Sequence, residues 1–405
     1  MSGFRNLSIL CLCVFSASSL FAQPDSLLKK DTVIQQKWYD AISVRGYIQV
    51  RYNRLLETNP LLKNEQGDKS WGENGGFFLR RMRLIFSGQI NKRVYFYLQP
   101  DFASSVSSGN LHFGQLRDAY LDLGFDKKNE FRIRIGQSKI PYGFENMQSS
   151  QNRLPLDRAD GTNSAMANER DLGAFFYWAP DRVRKQYAML VKAGLKGSGD
   201  YGVVGFGAFN GQTANKPEAN NTRHWVGRIS YPFNSGKQIF ETSLQGYSGK
   251  YKLEEAQMSS GVKVNSTRNY TDQRLAGTFV LYPQPFGIQA EYNIGRGPAF
   301  NKQTDSVELS KLSGGYITLS YLNRISKQLI IPFARAHYYD GGKKHELDAR
   351  KYHVRELEIG VEWQPVPQFE LVCHYTMSRR RFEDYVLRDN LQSGRLLRIQ
   401  AQVNF

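Results

Sequence analysis

Ile42-Ser43-Val44-Arg45-Gly46-Tyr47-Ile48-Gln49-Val50-Arg51 carries apolar or small residues at even positions and polar residues or tyrosine at odd ones. Successive strand side chains point to opposite faces, so this period of two predicts a strand with one greasy and one polar face. Arg45 and Arg51 share the polar face. The same period returns near 77–90, 92–103, 114–124, 130–139, 171–180, 201–211, 222–233, 237–249, 271–283, 286–297, 312–323, 329–340, 351–364, 368–380 and 395–405. In the last of these Leu397, Ile399, Ala401, Val403 and Phe405 oppose Arg398, Gln400, Gln402 and Asn404.

The connections divide into two kinds. Asn91-Lys92, 125–130, Asn234-Ser235-Gly236, Pro283-Gln284-Pro285, 324–327 and Pro365-Val366-Pro367 are short. Between them fall polar stretches near 54–75, 104–113, 140–170, 212–221, 250–270, 298–311, 341–350 and 381–394. Short turns alternating with long loops are the mark of an up-and-down barrel in an outer membrane. The alternation holds with sixteen strands if 181–200 belongs to one turn, although Tyr187-Ala188-Met189-Leu190-Val191 also has the look of a strand. Seventeen strands would break the even count of bacterial single-chain barrels, so this run is taken as a strand extension or small hairpin. The expected fold is therefore all-β, a transmembrane antiparallel barrel of sixteen strands over residues 39–405. Its third outer loop, 140–170, is long enough to be functional and is expected to fold into the pore.

Residues 1–22 hold one charge, Arg5, an apolar run from Leu7 to Phe15 and a small-residue tract ending in Ala22, the pattern of a cleaved secretory signal. Residues 23–38 read as a short periplasmic lead. Loss of the signal lowers the basic count from 54 to 53 against 37 acidic residues, leaving a net charge of +16 and Cys373 as the lone cysteine. An internal disulfide is then impossible. The charge surplus points to an anionic partner, and export argues against nucleic acid. With 23 Tyr, 25 Phe and 22% charged residues, the composition suits aromatic girdles around a polar lumen.

Catalytic signals are poor. There is no G-x-S-x-G, H-E-x-x-H, G-x-x-x-x-G-K or paired C-x-x-C in the mature chain, so neither enzymatic chemistry nor a cofactor is expected. A barrel enzyme would need His337 or His374 within reach of a lumen serine and a carboxylate. The cationic pattern says more. Alternation sends Arg45, Arg51, Arg81, Arg83, Arg132, Arg134 and Lys139 inward on the first five strands, and the 140–170 region adds Arg153, Arg158 and Arg170. A guanidinium stays charged and presents a fork of donors suited to phosphate or carboxylate. Pairing with Asp101, Asp118 or Asp122 is the competing use of these side chains. The later strands instead turn Glu241, Glu291, Glu356, Glu358, Glu362 and Glu370 inward, with Arg274, Arg335 and Arg398 among them, so a basic wall faces an acidic one.

Leu116-Arg117-Asp118-Ala119-Tyr120-Leu121-Asp122-Leu123, then Ile135-Gly136-Gln137-Ser138-Lys139-Ile140-Pro141-Tyr142-Gly143, then Asn168-Glu169-Arg170-Asp171-Leu172-Gly173 together resemble the phosphate-selective porins O and P. The resemblance implies an outer-membrane porin, usually trimeric, whose third loop folds into the pore and whose arginines and lysines bind phosphate. By motif, Lys139 stands at the mouth side of strand five and Arg170 at the loop's return, with Arg158 a looser match. The later strands depart from the family's basic ladder by placing glutamates in it. The chain is thus expected to pass small anions such as phosphate passively, in a homotrimer set among outer-membrane lipid. Its final strand ending in Phe405 resembles the recognition signal of the barrel-assembly machinery. The alternative is a barrel holding a larger acidic or saccharide ligand, for which Tyr142 and Phe144 would line the narrowing.

Overall fold

The computed structural model describes residues 38–55, 76–103 and 114–405. The segment read as a signal, almost all of the periplasmic lead, all but the first two residues of the loop expected at 54–75, and the loop expected at 104–113 lie outside the described residues. The strands are β1 (Ile42–Leu55), β2 (Gly76–Asn91), β3 (Val94–Asp101), β4 (Gln115–Gly124), β5 (Phe131–Lys139), β6 (Arg170–Trp178), β7 (Val204–Phe209) and β8 (His224–Ser235). They continue with β9 (Gln238–Lys252), β10 (Asn269–Leu281), β11 (Phe286–Asn301), β12 (Ser306–Tyr321), β13 (Gln328–Gly342), β14 (Lys351–Val366), β15 (Phe369–Glu383) and β16 (Asn390–Asn404). A fragment, Asn323–Ile325, extends β12 along β13, so the described residues form a closed antiparallel barrel of sixteen strands.

Closure is made between β1 and β16, from Tyr47 opposite Asn404 to Leu55 opposite Leu396. Phe405 finishes the seam: the Gly46 amide donates to its carbonyl at 2.7 Å, and its own amide donates to the Gly46 carbonyl at 3.0 Å. A Cβ on residue 46 would lie 2.5 Å from the Arg83 carbonyl and 2.7 Å from the Phe405 ring, which explains the glycine in this strand. A closed sheet leaves no unpaired backbone edge, the condition for strands to cross lipid. The alternation has the expected sense. Arg51, Arg335, Glu362 and Gln402 are buried inside, whereas Ile229 and Leu244 stand 62% and 57% exposed outside.

Three expectations need correction. Residues 181–200 contain no strand: Asp181–Lys192 is a helix, α1, with Val183, Tyr187 and Leu190 buried. Those residues recur at helical spacing, Asp181 sits in the first turn and Lys192 in the last, favourable to the helix dipole. Second, the loop expected over 298–311 is mostly paired strand, with Asn301 opposite Ser306. Its polar residues belong to strand ends, where no apolar face is required. Third, the lumen is not polar throughout. The α1 side chains Val183, Tyr187 and Leu190 join an apolar cluster with inward Ile239, Val280 and Ile331 at the end of the barrel that bears the short turns.

Candidate functional site

Cations gather on the inward faces of β2, β4, β5 and β6. Arg83 Nε donates to Asp101 at 2.7 Å, and Arg170 Nε donates to Asp118 at 2.8 Å. Arg134 spans both oxygens of Asp122 at 2.7 and 2.8 Å. All three carboxylates expected to compete for arginines therefore do so. The Arg134 guanidinium also lies 3.9 Å over the ring of Tyr120, an added attraction for a cation held away from water. Arg132 Nη1 donates to Asp200 at 2.6 Å, in the segment after α1.

Arg117 joins this wall because the ladder slips. Gln99 faces Asp118 but Pro100 faces Leu116, so β4 carries one extra residue there. Proline cannot donate to a ladder and often accompanies such bulges, which turn a side chain off its alternating face. Arg117 and Asp118 are thus both buried although they are consecutive. Strict alternation sends Arg117 outward, so sequence reasoning missed it; Pro100 beside an alternating run was the available signal.

The segment 140–169, which contains short helices Phe144–Met147 and Asp160–Asn163, is anchored to strands on every side. Tyr47 and Ser150 share a hydrogen bond of 2.8 Å, and Arg51 Nη1 donates to Asp157 at 3.1 Å. On the acidic wall the Phe144 amide and Thr162 hydroxyl donate to Glu291 at 2.6 and 2.9 Å. Arg335 Nη1 donates to Glu145 at 2.8 Å while its Nε bonds Glu358. Arg380 Nη2 and Lys343 Nζ lie 2.7 and 2.5 Å from opposite oxygens of Asp160. Much of the acidic wall is therefore engaged in holding this segment and its neighbours.

Where the segment ends, Glu169 is surrounded. Arg170 Nη1 and Lys139 Nζ lie 2.5 and 3.9 Å from one of its oxygens, and Arg158 Nε lies 3.3 Å from the other, which Arg153 also bonds. Burial disfavours the ionised form, but Arg153, Lys139, Arg158 and Arg170 outweigh it and hold the carboxyl well below the usual carboxylate range.

Nine of the ten candidate cations are buried or nearly so; Arg45 is exposed and sits 5.9 Å over the Tyr97 ring. Arg81 differs from the others. Its Nη1 donates to Gln49 Oε1 at 2.7 Å, and among the described residues no carboxylate pairs with it. Among the described residues Arg117 donates to the Asn168 carbonyl alone, at 3.1 Å. Tyr142 and Phe144 are both completely buried, Tyr142 donating to Asn293 at 2.5 Å and Phe144 lying in an apolar cluster with Leu154 and Leu156. Asp160, His337 and Glu356 could each offer a metal one ligand atom within 4.8 Å of the others. Lys343 and Arg380 already balance those carboxylates, so the donor set does not suit a cation. His337 Nε2 lies 2.6 Å from Glu356, and Ser378 bonds the same carboxylate instead of the imidazole. That is not the serine-to-histidine contact a nucleophile requires.

The family model of the phosphate-selective porins O and P matches residues 62–405. The chain belongs to this family. It is an outer-membrane porin, and its family and fold point to a channel instead of an enzyme. No curated protein matches it. Among solved structures it is similar to the outer membrane channel DcaP of Acinetobacter baumannii, with 14% identity, a TM-score of 0.56 and coverage of 90% of this chain and 97% of the other. The trimer form of OmpT from Vibrio cholerae gives 10%, 0.51, 90% and 99% in the same order. The anion-selective porin of Comamonas acidovorans gives 10%, 0.52, 90% and 99%. These likenesses are of fold.

Proposed function

We propose that this porin passes small anions, phosphate or related polyanions first among them, past a cationic wall narrowed by residues 140–169 inside the lumen. One observation carries the reading. In the cluster that Arg81, Arg83, Arg117, Lys139, Arg153, Arg158 and Arg170 form with Asp101, Asp118 and Glu169, positive charges exceed negative ones by four. In a confined, weakly screened space this surplus raises the local anion concentration and repels cations. Arg81 and Arg117, which have no carboxylate partner among the described residues, are the groups with donors to offer a passing oxyanion. Arg51, Arg132 and Arg134 mainly brace the wall through Asp157, Asp200 and Asp122.

Assembly as a homotrimer fits the fold shared with the trimer form of OmpT, and the seam at Phe405 offers a terminal strand to the barrel-assembly machinery. Current through the full-length porin in potassium chloride, recorded while inorganic phosphate is added to one side, tests the solute. Saturable reduction of chloride current is expected. An unaffected current would remove phosphate as the preferred solute, and cation preference would remove the anion reading altogether.

A further inference from the structure

The outer wall of the barrel carries an apolar groove. Its volume is about 1140 Å³, and its floor is made by small outward residues, Gly277, Ala290, Gly315 and Ala336. Larger apolar side chains, Phe279, Tyr292, Ile317, Tyr338, Leu357 and Met377, stand around them. The register makes it a continuous surface: Gly277 faces Tyr292, Tyr292 faces Gly315, Gly315 faces Tyr338, and Tyr338 faces Arg355.

At the end of this row Arg355 lies directly opposite Arg379. Both are exposed on the outward face, and neither has a carboxylate partner among the described residues. Like charges directly opposite on neighbouring strands are destabilising, so the pair calls for an anion. Their height identifies where that anion comes from. Arg355 lies towards the end of β14 bearing the long loops, which faces outward from the cell. It is level with Tyr338, whose ring centroid is 6.2 Å from that of Tyr292. Tyrosines in such a belt mark the headgroup level of a bilayer.

We propose that the groove binds one phosphorylated lipid of the outer leaflet, its phosphate clasped by Arg355 and Arg379 and an acyl chain laid over Gly277, Ala290, Gly315 and Ala336. Charge complementarity selects this occupant. A second copy of the chain would bury two uncompensated guanidinium groups, whereas a phosphate supplies oxygens matched to both forks. This inference does not depend on what the pore conducts.

The test is native mass spectrometry of the full-length porin titrated with diphosphorylated lipid A, with phosphatidylcholine as the neutral-headgroup control. The wild type is expected to retain lipid A in preference to phosphatidylcholine. R355Q/R379Q should weaken retention by about 30-fold, the size expected of two interfacial cations, and R355K/R379K should restore most of it. Heat-modifiable gel migration identifies any variant that fails to fold. Equal lipid retention by the wild type and the glutamine variant would overturn the proposal. So would loss of oligomer with lipid binding unchanged, which would assign the groove to a second copy of the chain.

Discussion

Arg81 donates to the side-chain oxygen of Gln49 at 2.7 Å, a neutral partner for a guanidinium that is 6% exposed. Its neighbours along β2, Arg80 and Arg83, are themselves cations. Burying a charge beside like charges is costly unless function retains it, and an anion path through the lumen supplies that function.

Glu169 holds the opposite position, one carboxylate among four cations. Glu169→Gln should therefore leave buried cations uncompensated and loosen residues 140–169 by about 3–5 kcal/mol. Amide hydrogen exchange in this segment should accelerate while exchange in β9 to β12 stays unchanged. The same variant should prefer anions more strongly than the wild type.

Acid should release the other anchor only at extreme pH. Burial opposes ionisation of Asp160, but Arg380 and Lys343 outweigh it and lower its pKa to about 2. A depressed carboxyl pKa contributes stability that is complete above the ordinary aspartate value, about 4, and is lost as pH falls through the folded value. Channel noise should thus be constant from neutral pH down to the ordinary aspartate value and should rise only on approach to pH 2. Asp160→Asn should produce that noise at neutral pH.

Leu190 is wholly buried where α1 meets inward residues of the barrel wall. Leu190→Ala should destabilise that packing by about 2–5 kcal/mol. Proteolysis at the helix should increase, and ion selectivity should stay as it is because no cation of the narrowing is touched.

Most of the barrel was legible because a membrane strand must alternate between lipid and lumen, and that demand is written in runs such as Ile42 to Arg51 and Leu396 to Phe405. Lumen placement of Arg132 and Arg134 followed from the same period. What it could not reveal was set by tertiary structure. The bulge at Pro100 redirects Arg117, and the partners of Arg132 and Arg51, Asp200 and Asp157, come from segments far away in sequence. The helix Asp181–Lys192 was hidden because five consecutive residues, Tyr187 to Val191, read as a short strand until Val183 is counted with them at helical spacing. The paired strands beyond Pro298 were hidden because above the bilayer a strand loses the apolar face that betrays it.

The central claim is that Arg81 and Arg117 set the selectivity of the pore. Zero-current reversal potentials across planar bilayers in a potassium chloride gradient test it directly, comparing wild type with Arg81→Glu/Arg117→Glu. The wild type is predicted to prefer chloride, and the double variant to lose about tenfold in the anion-to-cation permeability ratio. A cation-preferring wild type, or a ratio unmoved by the double substitution, would contradict the account.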